Sequence, residues 1–328
     1  MRANDPGVPL AVVLAAGRGR RIAELAPHVP KPLLPVLDRP LLAWQLDALE
    51  RAGVRSAVVV VGHLRVEIER FLAADRGGNL AVATVEQPEP LGIAHALAQA
   101  EPFLERPFLC LLGDVFFDGD ELARLTCALR RGVDAVLGVR AERDPREMAR
   151  NYAVEIDADG AVTGVLEKPD DGRVGWKGVG LYAFTPRIFD AVRATPPSAL
   201  RGEHELTDAI QTLVASGAHV CTAALAAPEF NLSEPRDLLA ANLRALEREH
   251  ARSSCWIAPG ARVEPGAELV QSIVLAGARV RSGVRAERVL VFPDEELPAG
   301  SYRDVVWVRG CAFSAAPEPS PGPSTGAR

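Results

Sequence analysis

The first residues with the means to do chemistry follow an apolar run, Leu10–Ala16, that is short enough to form one buried strand. Gly17 and Gly19 come directly after it, so the backbone turns tightly there and its N–H groups stay uncovered by side chains. Such amides, with a helix start behind them, suit a polyphosphate. The same turn carries three arginines, Arg18, Arg20 and Arg21. Lys31 follows between two prolines that fix its backbone, and together these residues predict a site for a triphosphate.

The established phosphate loops do not match this turn. No Gly-Lys-Ser/Thr triplet follows the second glycine, which excludes a P-loop. A dinucleotide-binding fingerprint needs a third glycine, and Ile22 stands at that position. The turn is therefore expected to bind phosphate in another way.

The stretch resembles the signature of sugar-1-phosphate nucleotidylyltransferases, L-A-G/A-G-x-G-T-R-L followed after a spacer by P-K-x-L-L-P-V. The matching segments run from Leu14 to Ile22 and from Pro30 to Val36. The resemblance implies catalytic roles for Arg21 and Lys31. It also implies nucleotide-binding roles for Leu14, Ala16, Gly17, Gly19 and Arg20. Arg20 stands where the family usually has threonine.

Two further segments point to a divalent cation. Asp114 ends an apolar strand after Gly113, and Mg²⁺ prefers one or two carboxylates together with phosphate oxygens and water. The family carries a G-D motif at this place, which implies that Asp114 is catalytic and binds Mg²⁺. The segment Phe230–Leu238 resembles the family's W-x-D-V-G-T-P-E-D-L block, and Asn231 falls on its aspartate. Asn231 is therefore the expected second metal ligand.

A glutamine offers a donor and an acceptor that match the imide edge of uracil or thymine, and Gln87 lies in such a context. Gly92 would let a base approach the backbone closely at a helix start. The block from Glu86 to Leu97 resembles Q-x-x-P-L-G-L-A-H-A of long-form glucose-1-phosphate thymidylyltransferases and their uridylyl relatives. That resemblance implies that Gln87 and Gly92 bind the nucleotide, while His95 is expected to pack on its helix.

Three more blocks resemble the family's segments for the second substrate. Glu167 and Lys168 match E-K-P, whose carboxylate meets sugar hydroxyls and whose lysine meets the sugar phosphate. Tyr152 and Ala153 match Y-G-V, with alanine in place of the glycine. Glu203 lies in a segment similar to R-G-E-x-E-I-T-D. These five residues are the expected binding set for a sugar-1-phosphate.

The elements that must position these residues follow from the hydrophobic pattern. Short apolar runs alternate with helical patterns up to about residue 139, which predicts right-handed crossovers and a mainly parallel sheet whose ligands gather at the carboxyl ends of its strands. From Tyr152 onward, strand-like runs joined by turn residues predict an antiparallel insert for the second substrate, followed by helices at Thr207–Ser216 and Pro235–His250. The expected fold is α/β and Rossmann-like (GT-A type), a mixed, mainly parallel sheet flanked by helices.

Beyond Ser253 a weak period near six residues begins, seen where Gly260-Ala261 recurs as Gly266-Ala267 and Gly277-Ala278. This period is typical of a left-handed parallel β-helix. We therefore predict a catalytic domain at residues 1–251, a short β-helix at 252–312 and a disordered tail rich in Pro, Ser and Gly at 313–328. No histidine lies between Cys255 and Cys311, so assembly into a homo-oligomer is the expected role of the β-helix.

Composition limits the partners. A formal net charge of −6 argues against a general nucleic-acid binder. No apolar run is long enough to span a membrane. The five cysteines are dispersed and show no C-x-x-C spacing, which indicates a reducing cytoplasm.

The implied reaction needs few protein groups. A sugar-1-phosphate is ionised near neutral pH, so its oxygen can attack the α-phosphate of a nucleoside triphosphate without a general base while pyrophosphate leaves. Catalysis then consists of positioning and charge neutralisation by Arg21, Lys31, Lys168 and Mg²⁺ on Asp114. We expect dTTP or UTP as the donor, with glucose-1-phosphate as the first choice of acceptor.

Two other interpretations remain open. One is a GTP- or CTP-dependent relative similar to mannose-1-phosphate guanylyltransferase, against which Gln87 argues. The other is a non-catalytic paralogue that binds nucleotide sugars and regulates a partner. Four departures from the commonest pattern favour the second: Arg20, Val115, Ala153 and Asn231. The presence of Arg21, Lys31 and Asp114 argues against it.

Overall fold

The computed structural model describes residues 10–19, 22, 24–74, 78–117, 121–129, 132–198, 202–250 and 254–316. Contacts divide the chain into two compact units. The first consists of Met1–Ala23, Pro27–Leu34 and Pro40–Asn231, and the second of Glu24–Ala26, Pro35–Arg39 and Leu232–Arg328. No helix in the described ranges combines the length and the apolar character that a membrane span requires.

The strands up to residue 231 are, in chain order, β1 (Leu10–Leu14), β2 (Pro35–Val36), β3 (Arg39–Pro40), β4 (Ser56–Val61), β5 (Ala81–Glu86), β6 (Phe108–Leu112), β7 (Val115–Phe117), β8 (Ala135–Glu142), β9 (Tyr152–Ile156), β10 (Val162–Glu167), β11 (Gly175–Phe184), β12 (Val220–Ala224) and β13 (Glu229–Asn231). The helices are α1 (Leu41–Arg51), α2 (Arg65–Ala73), α3 (Ile93–Gln99), α4 (Glu121–Leu129), α5 (Pro145–Met148), α6 (Ile188–Ala194), α7 (Leu206–Ala215) and α8 (Pro235–Glu249), with short 3-10 turns at Lys31–Leu33 and Glu101–Phe103.

Strand β1 lies inside a mixed sheet to which nine of the described strands belong. It runs parallel to β4 on one side and to β6 on the other, with Leu14 opposite Val60 and Leu112. Its Ala and Val residues are fully buried because both faces of the sheet are covered. The carboxyl ends of β1, β4 and β6 therefore lie at one edge, as the alternating pattern predicts.

Strands β9, β10 and β11 are antiparallel, as expected, but they continue the main sheet and do not form a separate insert. The ten-residue strand β11 is long enough to pair with β6 at one end, through Leu181–Phe184, and with β9 at the other, through Trp176 and Lys177. It also pairs with β8, and β8 pairs in parallel with β12. The fold is thus a mixed α/β sheet whose central strands are parallel.

Two apolar cores cover the two faces of this sheet. Val12 and Leu14 point into the core that includes α3, α6 and α7. Ala11 and Val13 point into the opposite core with α1 and α4. The alternation of side chains along each strand is what divides them between the cores.

In the second unit, helix α8 begins at a capping box. The Glu234 side chain accepts from the backbone at Asp237, whose carboxylate accepts from the Glu234 N–H. On the buried side of α8, Asn242 is fully enclosed and accepts from the Leu37 N–H at 2.7 Å. Its amide nitrogen donates to the carbonyls of Pro35 and Leu238, each at 2.9 Å. Asn242 thereby fixes the short segment around β2 on the helix.

The remaining strands are β14 (Trp256–Ile257), β15 (Arg262–Val263), β16 (Glu268–Val270), β17 (Ile273–Val274), β18 (Arg279–Val280), β19 (Val284–Val291), β20 (Glu296–Leu297), β21 (Gly300–Val308) and β22 (Cys311–Ser314).

Strands β14 to β18 pair in parallel with a strand 17 residues further on, as Trp256 does with Ile273, Arg262 with Arg279 and Glu268 with Arg285. Strand β19 pairs with β21 at a spacing of 16 residues. The six-residue sequence period thus separates successive strands, and parallel pairing recurs at about every third strand. Val274, Val280 and Leu297 fill the interior. The last strand, β22, reverses direction against β21 and extends to Ser314, two residues into the segment predicted as a tail, because pairing satisfies its backbone groups.

Candidate active site

The loop after β1 lies between two glycines on the neighbouring strands. Gly113, after β6, donates its N–H to the Leu14 carbonyl at 2.9 Å, and a Cβ at Gly113 would lie 2.8 Å from that oxygen. Gly62, after β4, is equally close, because a Cβ there would lie 2.9 Å from the Cβ and carbonyl oxygen of Ala16. The backbone at Ala15 and Ala16 is therefore held at the carboxyl edge of the sheet.

Gly17 and Gly19 differ in what surrounds them. A Cβ on Gly17 would meet nothing within 4 Å, so the backbone there faces open space. Gly19 has φ +54°, and a Cβ on it would lie 2.6 Å from Cγ and Cε of Lys31. The Lys31 stem thus crosses the turn where glycine leaves room for it. Arg20 and Arg21, predicted for the same turn, lie outside the described residues.

Lys31 and Asp114 are in direct contact. The Lys31 ammonium donates to Oδ2 of Asp114 at 2.9 Å, with 14% of the lysine side chain and 27% of the aspartate side chain exposed. Pro30 and Pro32 place Lys31 in its 3-10 turn, and the turn between β6 and β7 places Asp114. The structure therefore brings together the predicted phosphate-binding lysine and the predicted metal ligand, both partly exposed at the edge where ligands collect in such sheets.

Asn231 lies beside this pair. It is the last residue of β13, and it is the antiparallel partner of Val115, the residue that follows Asp114. A carboxylate and an amide oxygen are the hard oxygen donors that Mg²⁺ accepts. Among the described residues no group of three or more His, Cys, Asp or Glu side chains could hold a metal. As donor types, the carboxylate of Asp114 and the amide oxygen of Asn231 fit such a cation.

The predicted base-binding glutamine is held on several sides. Gln87 is 7% exposed, and its backbone N–H donates to the Val61 carbonyl at 2.8 Å. Its side-chain nitrogen donates to the Gly92 carbonyl at 3.0 Å and lies 3.0 Å from Nδ1 of His95. His95, which was expected only to pack on its helix, therefore also orients Gln87.

Gly92 contacts a segment that sequence reasoning did not connect with it. It has φ +112°, and a Cβ there would lie 2.4 Å from the His204 carbonyl oxygen. That oxygen accepts from the Ala94 N–H at 2.9 Å, while the His204 N–H donates to the Leu91 carbonyl at 2.7 Å. His204 thus joins the predicted base-binding loop to Glu203, whose side chain is exposed next to it.

Glu167 and Lys168 end strand β10 in a defined geometry. Lys168 has φ +44°, its N–H donates to the Asn151 carbonyl at 2.8 Å, and its ammonium lies 3.2 Å from Oε1 of Glu167. The other oxygen of Glu167 accepts from the Thr207 hydroxyl at 3.3 Å. The two charged groups therefore lie together at the end of the strand, where a phosphate and hydroxyls could reach them.

Tyr152 and Ala153 are buried at the start of β9. The Tyr152 ring occupies the space that a Cβ on Gly178 would need and stacks on Tyr182 with centroids 6.3 Å apart. Burial is the main cause that raises the pKa of both phenols above the ordinary value. The Tyr152 side chain therefore packs in the apolar core on one face of the sheet. Ala153 pairs with Lys177 of β11.

Gln45 is a positioning residue that the motifs did not reveal. Its side-chain nitrogen donates to the carbonyls of Leu112 and Val115, at 2.9 and 2.8 Å, and so bridges the turn that carries Asp114. The signal was present in the pattern, because Gln45 interrupts the apolar stripe of Leu41, Leu42, Leu46 and Leu49 on α1. A polar residue at such a position needs a buried partner.

Known proteins resemble this chain. Residues 10–227 match the nucleotidyl transferase family. A glucose-1-phosphate thymidylyltransferase of Streptomyces griseus is 32% identical over 296 residues, which cover 88% of this chain and 82% of that protein. A UTP–glucose-1-phosphate uridylyltransferase of Haloferax volcanii is 33% identical over 232 residues, 69% of this chain and 92% of that protein. The structure of a UDP-glucose pyrophosphorylase of Acinetobacter baumanii superposes with a TM-score of 0.66 at 22% identity, covering 74% of this chain and 95% of that one.

Proposed function

The chain belongs to the nucleotidyl transferase family, and from that membership we propose that it transfers a nucleoside monophosphate from dTTP or UTP to a sugar-1-phosphate, releasing pyrophosphate. Glucose-1-phosphate is the proposed acceptor. The relatives that act on glucose-1-phosphate with thymidylyl or uridylyl transfer support this choice.

One observation carries the proposal: the 2.9 Å contact between Lys31 and Asp114 beside the open backbone of Gly17. It joins a cation for phosphate oxygens to a carboxylate at the end of a glycine turn. Nucleotidyl transfer needs that combination, because charge builds up on the departing pyrophosphate and must be neutralised. Arg21, from the same segment, is proposed to share this role.

The residues of the acceptor site suit the other half of the reaction. An ionised phosphate oxygen of the acceptor attacks the α-phosphorus, a bond forms to it, and the bond to the pyrophosphate oxygen breaks. Lys168 is proposed to hold the attacking phosphate and Glu167 the sugar hydroxyls, because they lie together at the end of β10. Glu203 and the backbone at Tyr152 and Ala153 are proposed to complete the sugar site. No protein base is needed, so these groups act by orientation.

Asp114 and Asn231 are proposed to hold Mg²⁺. When bound, the cation neutralises phosphate charge. Asp114 keeps contact with Lys31, so the lysine remains near the phosphates that share the site.

Gln87 is proposed to read the pyrimidine base, with Gly92 and the loop after β1 (Leu14, Ala16, Gly17, Gly19 and Arg20) around the rest of the nucleotide. The side-chain nitrogen of Gln87 contacts both the Gly92 carbonyl and Nδ1 of His95. These contacts occupy its N–H groups, so Oε1 is the atom proposed to accept from the imide N–H of uracil or thymine.

We also propose that residues 252–312 form a left-handed β-helix that mediates assembly of a homo-oligomer in the cytoplasm. The parallel pairing at 17-residue spacing supports the β-helix. Light scattering of the full chain and of a chain ending at residue 250 tests the assembly role, because the shorter chain should lose mass per particle beyond its own deletion.

The direct experiment is pyrophosphate release by the purified protein with Mg²⁺ and glucose-1-phosphate, against dTTP, UTP, CTP, GTP and ATP in parallel. Turnover with dTTP or UTP alone is the expected result. Turnover with GTP or CTP would retain the reaction and overturn the role of Gln87. No pyrophosphate release with any sugar phosphate and any nucleotide would make the non-catalytic paralogue the correct interpretation.

A further inference from the structure

Four charged side chains form a group that includes Glu229, two residues before the proposed metal ligand Asn231. The Lys177 ammonium is 2.7 Å from Oε1 of Glu229 and 3.5 Å from Oε2 of Glu142. Arg140 donates to the second oxygen of Glu229 at 2.9 Å. Only 11% of the Lys177 side chain and 5% of the Glu229 side chain are exposed, so this pair is shielded from water.

The four charges come from three strands that meet at the site. Arg140 and Glu142 end β8, Lys177 lies in β11 directly opposite Arg140, and Glu229 begins β13. Lys177 is also the partner of Ala153, and Glu229 stands two residues before Asn231. The group therefore connects the proposed sugar segment with the strand that carries the proposed metal ligand.

Strand β13 is short, and its Phe230 ring lies against the Phe116 ring of β7 with centroids 6.3 Å apart. It is three residues long, and its described sheet partner is β7, which is also three residues long. Two short strands form too few hydrogen bonds to be rigid by themselves. The ion pair at the first residue of β13 supplies a further point of attachment, and removing Lys177 would deprive the buried Glu229 carboxylate of one of its cations.

We propose that Lys177 and Glu229 are positioning residues that hold Asn231 against Asp114, and so set how strongly a divalent cation enhances nucleotide binding. The proposal rests on the proposed function. Lys177 touches no reacting atom and acts only through Glu229 and the strand that follows it.

The test measures binding and not turnover. Isothermal titration calorimetry gives the affinity for dTTP, and separately for UTP, without acceptor, once with Mg²⁺ and once with EDTA. In the wild type Mg²⁺ raises the affinity. In Lys177→Met this Mg²⁺-dependent gain should fall about 10- to 100-fold, the usual effect of losing a group that orients a metal ligand. The affinity in EDTA should stay unchanged.

Three further variants keep the test decisive. Glu229→Gln preserves the shape of the side chain and should show the same loss of the Mg²⁺-dependent gain. It replaces Lys177→Met as the test if that variant does not fold. Lys177→Arg keeps the positive charge and should restore the gain. Arg187→Met breaks an ion pair of 2.9 Å with Asp134, which precedes the opposite end of β8, and should leave both affinities unchanged.

The outcomes separate the two proposals. Equal losses in Mg²⁺ and in EDTA, or an unchanged Mg²⁺-dependent gain in Lys177→Met and Glu229→Gln, would overturn the positioning role. A wild type that binds the triphosphate with no gain from Mg²⁺ would overturn it as well, while nucleotidyl transfer could stand. A wild type that binds neither triphosphate would overturn both proposals.

Discussion

The contact between Lys31 and Asp114 joins two residues that lie 83 positions apart in the chain. Each side chain is partly exposed, so the pair itself stabilises the fold by only about 0–1 kcal/mol. Its value must lie in where it places the two charges. We therefore expect the pair to matter for the proposed phosphate site and little for stability.

Asp114→Asn tests this separation of stability from catalysis. The amide removes the charge that a cation and Lys31 require, so pyrophosphate release should fall at least about 100-fold. The midpoint of urea unfolding should change little. Asp190→Asn, an exposed carboxylate on α6, is the matched control and should alter neither quantity. A parallel fall of stability and activity in Asp114→Asn would contradict this view.

The buried tyrosines permit a prediction about pH. Burial raises the pKa of Tyr152 and Tyr182, so the unfolded phenols, with a pKa of about 10, lose their protons first. The stabilisation from the protonated phenols is fully present below that pH and is lost as the pH rises above it. The native state should therefore unfold more readily in alkali.

Ultraviolet titration of tyrosinate measures this directly. Of the three tyrosines in the chain, Tyr152 and Tyr182 should stay protonated in the native protein at pH values where all three ionise in urea. Tyr182→Phe should remove one of the two protected groups. Ionisation of all three with the same midpoint in native protein would show that the phenols reach water.

At the scale of the elements, the sheet depends on Gly178, which has no side chain and so leaves room for the ring of Tyr152. An added Cβ at Gly178 in β11 would lie 1.7 Å from Cζ of Tyr152, so Gly178→Ala must displace the ring or the strand. We expect a loss of about 3 kcal/mol or more in the free energy of unfolding, measured in urea.

Gly164→Ala on β10 is the matched control for that substitution. Its Cβ would lie 2.8 Å from Oε2 of Glu155, the far end of a flexible side chain that can rotate away. The expected change is within about 0.5 kcal/mol. Similar losses in both variants would mean that the ring is not what makes Gly178 necessary.

Elements were predictable where local pattern decides them. The β-branched run at Ser56–Val61 and the pattern at Tyr152–Ile156 each predict a strand from the sequence alone, and β4 and β9 have these bounds. The position of β11 between β6, β8 and β9 was not predictable, because it depends on pairings with strands distant in the chain. The apolar pattern predicts β8 only as far as Val139. The strand continues to Glu142 because its polar end pairs with Gly175–Lys177.

The same distinction applies to the site. The structure brings Gly19, Lys31 and Asp114 together, as the spacing of the motifs predicts. The partners of Gln45 and of Lys177 could not be predicted, because they lie 52 or more residues away and no motif links them. Supporting residues are chosen by packing, and packing is visible only after the sheet is assembled.

At the scale of the whole molecule, the C-terminal strands behave as a repeat with a 17-residue turn. The tetrapeptide Gly260–Val263 recurs as Gly277–Val280, and Arg262 pairs with Arg279. Deleting Arg262–Ala278 therefore joins Ala261 to Arg279 and preserves the sequence at the junction. Stability in such stacks is mostly a sum over neighbouring turns.

We expect the chain lacking Arg262–Ala278 to keep a cooperative thermal transition, at a lower midpoint. A chain lacking Arg262–Gln271 shifts every later side chain relative to the interior, and should lose the transition of this unit in circular dichroism. Equal behaviour of the two deletions would mean that the 17-residue register does not govern this unit.

The anchoring of Pro35 and Leu37 by Asn242 has a consequence for synthesis. The Leu37 amide and its acceptor are separated by 205 residues, so at usual translation rates the amide emerges about 10–40 s before its partner exists. During that time the backbone groups of the β2 segment must form hydrogen bonds with water, or the segment must be bound by chaperones. Slower translation would lengthen this interval. In a chain truncated before α8 the Leu37 amide would never meet the Asn242 acceptor.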